Sequence, residues 1–154
     1  MTMDNEPDFQ EAFTKLFFKG FKIVNFKIEL SAKEMHFYLE PESELPICPG
    51  CNGSSVVVHE YRKRVVQDGS IFGYKAVLFI TYRTFKCKCC NKYGTEKIEF
   101  LSERSRFTKR LEDTVNEDLE MAGSIKDTAY RTGLSLNPAK EFISATCKRK
   151  YTFI

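Results

Sequence analysis

Two short stretches, CPGC at 48–51 and CKCC at 87–90, hold the side chains best suited to chemistry. In each, two residues separate a pair of cysteines: Cys48 from Cys51, and Cys87 from Cys90. That gap lets one tight turn bring both sulfurs together while nearby backbone amides point toward them. Two such turns supply four soft thiolates, the donor set of a closed tetrahedral Zn2+ site. Pro49 and Gly50 suit the first turn, because proline fixes one torsion and glycine permits unusual ones. A closed set has no open position for water, so the expected ion is a single structural Zn2+ with no hydrolytic role. Its binding would add free energy on the order of 10 kcal/mol to folding. Buried free thiols or a redox pair are the competing uses. The redox use fits poorly, since neither pair opens a helix in a βαβ context. Cys89 is adjacent to Cys90 and stays a spare thiol. Cys147 reads as a core residue, and His59 as a strand residue outside the ligand set.

The elements that must position these thiols can be read from hydrophobic period. Residues 56–68 and 74–86 are β-branched, aromatic and partly period-two, separated by DGS and Gly73 as turn signals. They predict a long antiparallel hairpin that leaves one cysteine pair and returns into the other. Upstream, residues 8–19 place Phe9, Phe13, Leu16 and Phe17 near one helical face, and Gly20 ends the helix. Phe26, Ile28 and Leu30 alternate with polar residues, and MHFYLE reads as the return strand after a polar SAKE turn. This small unit must dock on the downstream part of the chain, because a helix and a hairpin bury too little alone. PESELP at 41–46 is an acidic linker. Downstream, Phe107, Leu111, Val115 and Leu119 form a helical stripe opposite an acidic face. A short helix comes next over 124–130 with Ser124 as its cap. After the turn TGLS, Asn137-Pro138 signals a last helix. Helix, short helix, turn and helix is the helix-turn-helix order. The fold class is therefore α+β. It divides into an N-terminal helix and hairpin unit (1–46), a zinc-ribbon domain (47–104) and a helix-turn-helix domain (105–154).

The net charge of +3 is uninformative, but its distribution is not. Residues 48–110 carry thirteen basic and five acidic side chains, while 1–47 carry five and nine. A cationic segment between two near-neutral or acidic ones points to a polyanion. Candidate contacts on the ribbon are Arg62, Lys63, Arg64, Lys75, Arg83 and Lys86, with Arg106, Lys109 and Arg110 before the long helix. If the last helix enters a major groove, Asn137, Lys140 and Ser144 are the base readers, and Lys148 and Arg149 reach phosphate. No apolar run approaches the roughly 20 residues that span a bilayer, and the acidic N-terminus lacks the order of a secretory signal. Reduced thiols serving a metal fit a reducing cytoplasm.

The ribbon text resembles the front part of bacterial insertion-sequence transposases of the IS-L-three type. The residues that carry the likeness are Cys48, Pro49, Cys51, His59, Tyr61, Arg64, Asp68, Gly73, Arg83, Phe85, Cys87 and Cys90, followed by SIKDTAYRTGLS. The chain departs from that pattern at Asn52, where glycine is usual, at Gly69-Ser70 after the aspartate, and at Asn137-Pro138. The resemblance implies a zinc ribbon and helix-turn-helix that bind double-stranded DNA. It also implies an acidic catalytic triad on a later RNase-H-like domain, of which this sequence holds no counterpart. The expectation is a truncated transposase, not itself an enzyme. Its role is zinc-dependent, sequence-specific recognition of element ends, or regulation of transposition or transcription. The alternative is a protein-interaction module that assembles with a second copy, a full-length transposase or another partner. Neither reading needs a membrane or a small-molecule substrate.

Overall fold

The computed structural model describes residues 8–102, 105–121 and 125–132. Chain order is α1 (Phe9–Phe17), β1 (Phe21–Glu29), β2 (Glu34–Pro41), β3 (Val56–Ile71), β4 (Tyr74–Cys87), β5 (Tyr93–Thr95), α2 (Lys109–Glu120) and α3 (Ile125–Thr132). The architecture is α+β, as the alternating periods predict. The last helix expected near 137 lies outside the described residues, as do Cys147 and the Ser124 cap.

All five strands join one sheet, in the order β1-β2-β4-β3, with β5 on the β2 side of β4. β3 and β4 form the long predicted hairpin, with Val56 opposite Cys87 at one end and Ile71 opposite Tyr74 at the other. The N-terminal hairpin docks edge to edge: β2 runs parallel to β4 from Glu34–Lys75 to Leu39–Ile80. A linker between β2 and β3 allows this, because β3 must run back before β4 can match the direction of β2.

Of the two expected turn signals, Gly73 marks the hairpin turn and DGS does not. Asp68, Gly69 and Ser70 do not turn the chain; they form an irregularity inside β3. The reversal comes at Phe72 and Gly73, both at positive φ (50° and 82°), the torsions a two-residue hairpin loop requires. Phe72 is 95% exposed and carries the left-handed strain of a bulky residue. Phe72→Asn is expected to stabilise the fold by about 1 kcal/mol, because asparagine tolerates this backbone region. Thermal melting would read the gain.

One sheet face carries the main core. Phe18, Phe21, Phe37, Leu39, Val66, Leu78 and Ile80 are buried there, with Ile98 and Leu101 folding back over them. α1 covers part of this face with a different set of residues from the expected stripe. Phe13 packs inward and Thr14 is buried, whereas Phe9 and Leu16 are 80% and 76% exposed. The helix meets the sheet through the chain that leaves it, since Phe18 and Phe21 insert beyond its end. Phe9, Phe26 and Phe72 are left bordering an apolar groove of about 560 Å3.

α2 keeps its predicted stripe, with Leu111 and Val115 buried against Phe107 and Leu119. Thr108 caps it by accepting from the Leu111 amide. α3 packs on α2, with Ala129 buried and Arg131 donating to Asp118 at 3.1 Å, and the two make a helix-turn-helix-like pair. Two backbone hydrogen bonds join Gln67 to this region: its amide donates to the Arg106 carbonyl, and its carbonyl accepts from the Thr108 amide. Among the described residues no helix is long and apolar enough to cross a membrane.

Candidate metal centre

The open ends of β3 and β4 bring the two cysteine turns face to face. In the first, the Asn52 amide donates to the Cys48 carbonyl and the Cys48 amide to the Gly53 carbonyl. The second repeats the outer bond, from the Cys87 amide to the Lys92 carbonyl. Each turn then places an asparagine in the left-handed region: Asn52 at φ 55° and Asn91 at φ 58°. Asparagine adopts that region more readily than other residues with a side chain. The missing glycine at position 52 is therefore no obstacle to the turn. Gly53 is confined instead, because a Cβ there would lie 3.1 Å from the Cys51 sulfur.

The sulfurs of Cys48, Cys51, Cys87 and Cys90 all lie within 4.8 Å of one another. Cys48 and Cys90 are 3.7 Å apart and Cys51 and Cys87 3.5 Å. Four sulfurs at ordinary Zn–S distances on a tetrahedron would be about 3.8 Å apart. The two closest pairs already have that spacing, and the donor set is all sulfur, so the cluster fits Zn2+. These four residues form a single site for one structural Zn2+. The exposed Cys89 stands outside the set, as its adjacency to Cys90 predicts.

Without a cation the four thiols share their protons unevenly. The Cys90 amide, helped by the Cys51 thiol and the Cys89 amide and opposed by burial, brings Cys87 down to about 6. At Cys51 the Gly53 amide pulls the other way, but the hydrogen bond with Cys87, burial and the Cys48 and Cys90 thiols prevail and push it up to about 12. One ionised sulfur therefore opposes ionisation of the next, and a divalent cation relieves the conflict.

The same residues carry the likeness to known proteins. Residues 44–90 match the family described as the zinc-finger of transposase IS204/IS1001/IS1096/IS1165. Residues 44–90 are thus similar to the zinc ribbon of those transposases. The transposase for insertion sequence element IS1001 of Bordetella parapertussis is 30% identical over 88 residues, which cover 57% of this chain and 22% of that protein. The match thus spans less than a quarter of that relative. No solved structure matches the chain. Four thiolates would complete the tetrahedron around the ion, so such a site is structural, with no position for a reacting water. Among the described residues the four thiols are the one group of three or more metal-ligating side chains that converges.

Around the ribbon the structure divides the candidate cations. Lys63, Lys86, Arg106 and Lys109 are exposed, as is Arg62, which pairs with Glu60 at 2.9 Å. Lys75 and Arg64 are half-buried, Arg64 donating to the Ser105 carbonyl. Arg83 leaves this surface altogether. It is 2% exposed and donates to Glu96, to the Ser43 and Glu44 carbonyls and to the Ser43 hydroxyl, at 2.6–3.1 Å. The guanidinium fastens the 41–46 linker onto β4. Arg110 is likewise internal in role: it forms a two-pronged pair with buried Asp68, donates to the Phe17 carbonyl and lies over the Phe17 and Phe18 rings. Asp68 also accepts from the Thr108 hydroxyl at 2.7 Å. One carboxylate thereby ties the irregular part of β3 to the start of α2. Asn137, Lys140, Ser144, Lys148 and Arg149 lie outside the described residues.

Several participants carried no readable signal. Glu96 and Lys97 come after the short strand β5, a three-residue element with no period to detect. The His59 ring sits 6.0 Å from that of Tyr93, and His36 Nε2 pairs with the Glu34 carboxylate at 2.8 Å; neither belongs to the thiol cluster.

Proposed function

We propose that the chain is a zinc-dependent, non-catalytic module that binds double-stranded DNA, in the manner of the recognition part of a transposase. The zinc site carries this reading: it would stiffen a ribbon on which Lys63 of β3, Lys86 of β4 and Lys88 and Lys92 of the second cysteine turn are each exposed. Flexible lysines on a rigid support contact phosphate with little loss of backbone entropy. Recognition of element ends, or regulation of transposition or transcription, would then depend on the helix-turn-helix region, with Asn137, Lys140 and Ser144 as base readers.

Binding to duplex DNA is expected to weaken steeply with added salt, by a slope of about 0.9 per phosphate contact. Lys63→Glu is expected to lower affinity for all sequences alike, while Asn137→Ala changes preference among them. Fluorescence anisotropy across a salt series would decide: a flat response counts against the reading.

The apolar groove beside Phe9, Phe26 and Phe72 favours a second reading, a surface for protein assembly with a transposase or another copy. A stable complex without DNA in light scattering, and no binding to DNA, would select it.

A further inference from the structure

A cleft of about 650 Å3 lies between the zinc ribbon and the start of α2. Its walls bring together cations from three separate places in the chain: Arg64 on β3, Lys97 after β5 and Lys109 at the first position of α2. Tyr82 and Ser102 add polar groups, and Pro49 of the first cysteine turn also lines it. Ile98 and Leu101 make an apolar floor. Among the described residues one carboxylate lines the cleft, Glu96, already locked to Arg83 at 2.6 Å, and Glu112 beside it accepts from the Ser102 hydroxyl at 2.9 Å. Lys97 and Lys109 have no carboxylate partner among the described residues.

Three like charges converging on a concave surface repel one another, and apolar walls strengthen the field they share. Arg64 lines the cleft and donates to the Ser105 carbonyl beside it, so its charge is fixed in place and not free to swing away. Such an arrangement gains most from an anion with several oxygens. We propose that this cleft seats the phosphodiester backbone of DNA. The inference rests on the DNA-binding reading above and adds a path to it: the backbone crosses between ribbon and helix pair. Lys97, which no sequence pattern singled out, becomes a contact equal to Lys109. Arg64 serves as the fixed member and the two lysines as adaptable ones.

The test compares duplex DNA binding by three forms of the full chain, each checked for zinc content and melting temperature. These are the unaltered protein, Lys97→Ala with Lys109→Ala, and Lys22→Ala with Lys27→Ala on distant β1. Both pairs are exposed, so folding is expected to survive. The cleft pair is expected to lower affinity on the order of tenfold per lysine at 0.1 M salt, and to reduce the salt slope by about 1.8. The β1 pair is expected to change neither. If the unaltered chain binds with a steep slope that the cleft pair leaves intact, the inference is overturned and the DNA reading stands. An equal loss in both pairs overturns it too, by showing a response to total charge. Failure of the unaltered chain to bind duplex DNA removes the reading and the inference together.

Discussion

Cys87→Ser is expected to release the metal and unfold the cysteine end of the ribbon. Zinc content should fall from one ion per chain to near zero, and protease should cut within 47–58 and 84–96. The loss should be on the order of 10 kcal/mol, the size of structural zinc binding in small domains. Apolar packing at that end is thin. The local core comprises Cys48, Val56, Phe85 and Cys87, with Cys90 against them, so three of its five members are zinc ligands. Cys89→Ser serves as the control and should retain both metal and fold. A chelator should reproduce the Cys87→Ser state. A chelated chain with unchanged melting and protease resistance would show that packing alone holds the ribbon.

Glu96→Ala is expected to cost about 3–5 kcal/mol, because it leaves the Arg83 guanidinium buried without its counter-charge. Arg83 is one of the largest fully buried side chains, and its hydrogen bonds also hold the linker before the first cysteine turn. Arg83→Met combined with Glu96→Leu should be much milder than either single change, since apolar groups replace the pair together. Chemical denaturation of the four proteins forms the cycle. Additive losses would mean that the two residues act separately. The same cycle separates stability from binding: DNA affinity lost by an Arg83 variant should return when measured on the folded fraction alone.

The parts most legible in the sequence were those governed by neighbours along the chain. The two-residue gaps between cysteines specified the turns, because ligand convergence within a turn is a local matter. The β3–β4 hairpin and the α2 stripe of Phe107, Leu111, Val115 and Leu119 emerged from period alone. Charge was legible as a total over 48–110 but not residue by residue. Arg83 and Lys86 are three positions apart in one cationic strand, yet one is buried and the other exposed. A basic residue looks the same in sequence whether its partner is solvent or a carboxylate that arrives from another element.

The turn of the hairpin shows the same limit. Asp68-Gly69-Ser70 has ideal turn composition, but Asp68 is claimed by Thr108 and Arg110, some 40 residues later, and the strand continues through it. Phe72 and Gly73 then make the reversal at a cost in backbone strain.

Amino-acid order by itself determined the metal, its four ligands, the strand pair that carries them and the α+β class, since each depends on spacings of a few residues. Folding in three dimensions decided that β2 lies parallel beside β4, that Arg83 and Arg110 turn inward, and that Arg64, Lys97 and Lys109 meet in one cleft. Those outcomes depend on contacts between distant segments, where burial and charge pairing act on residues that no local pattern connects.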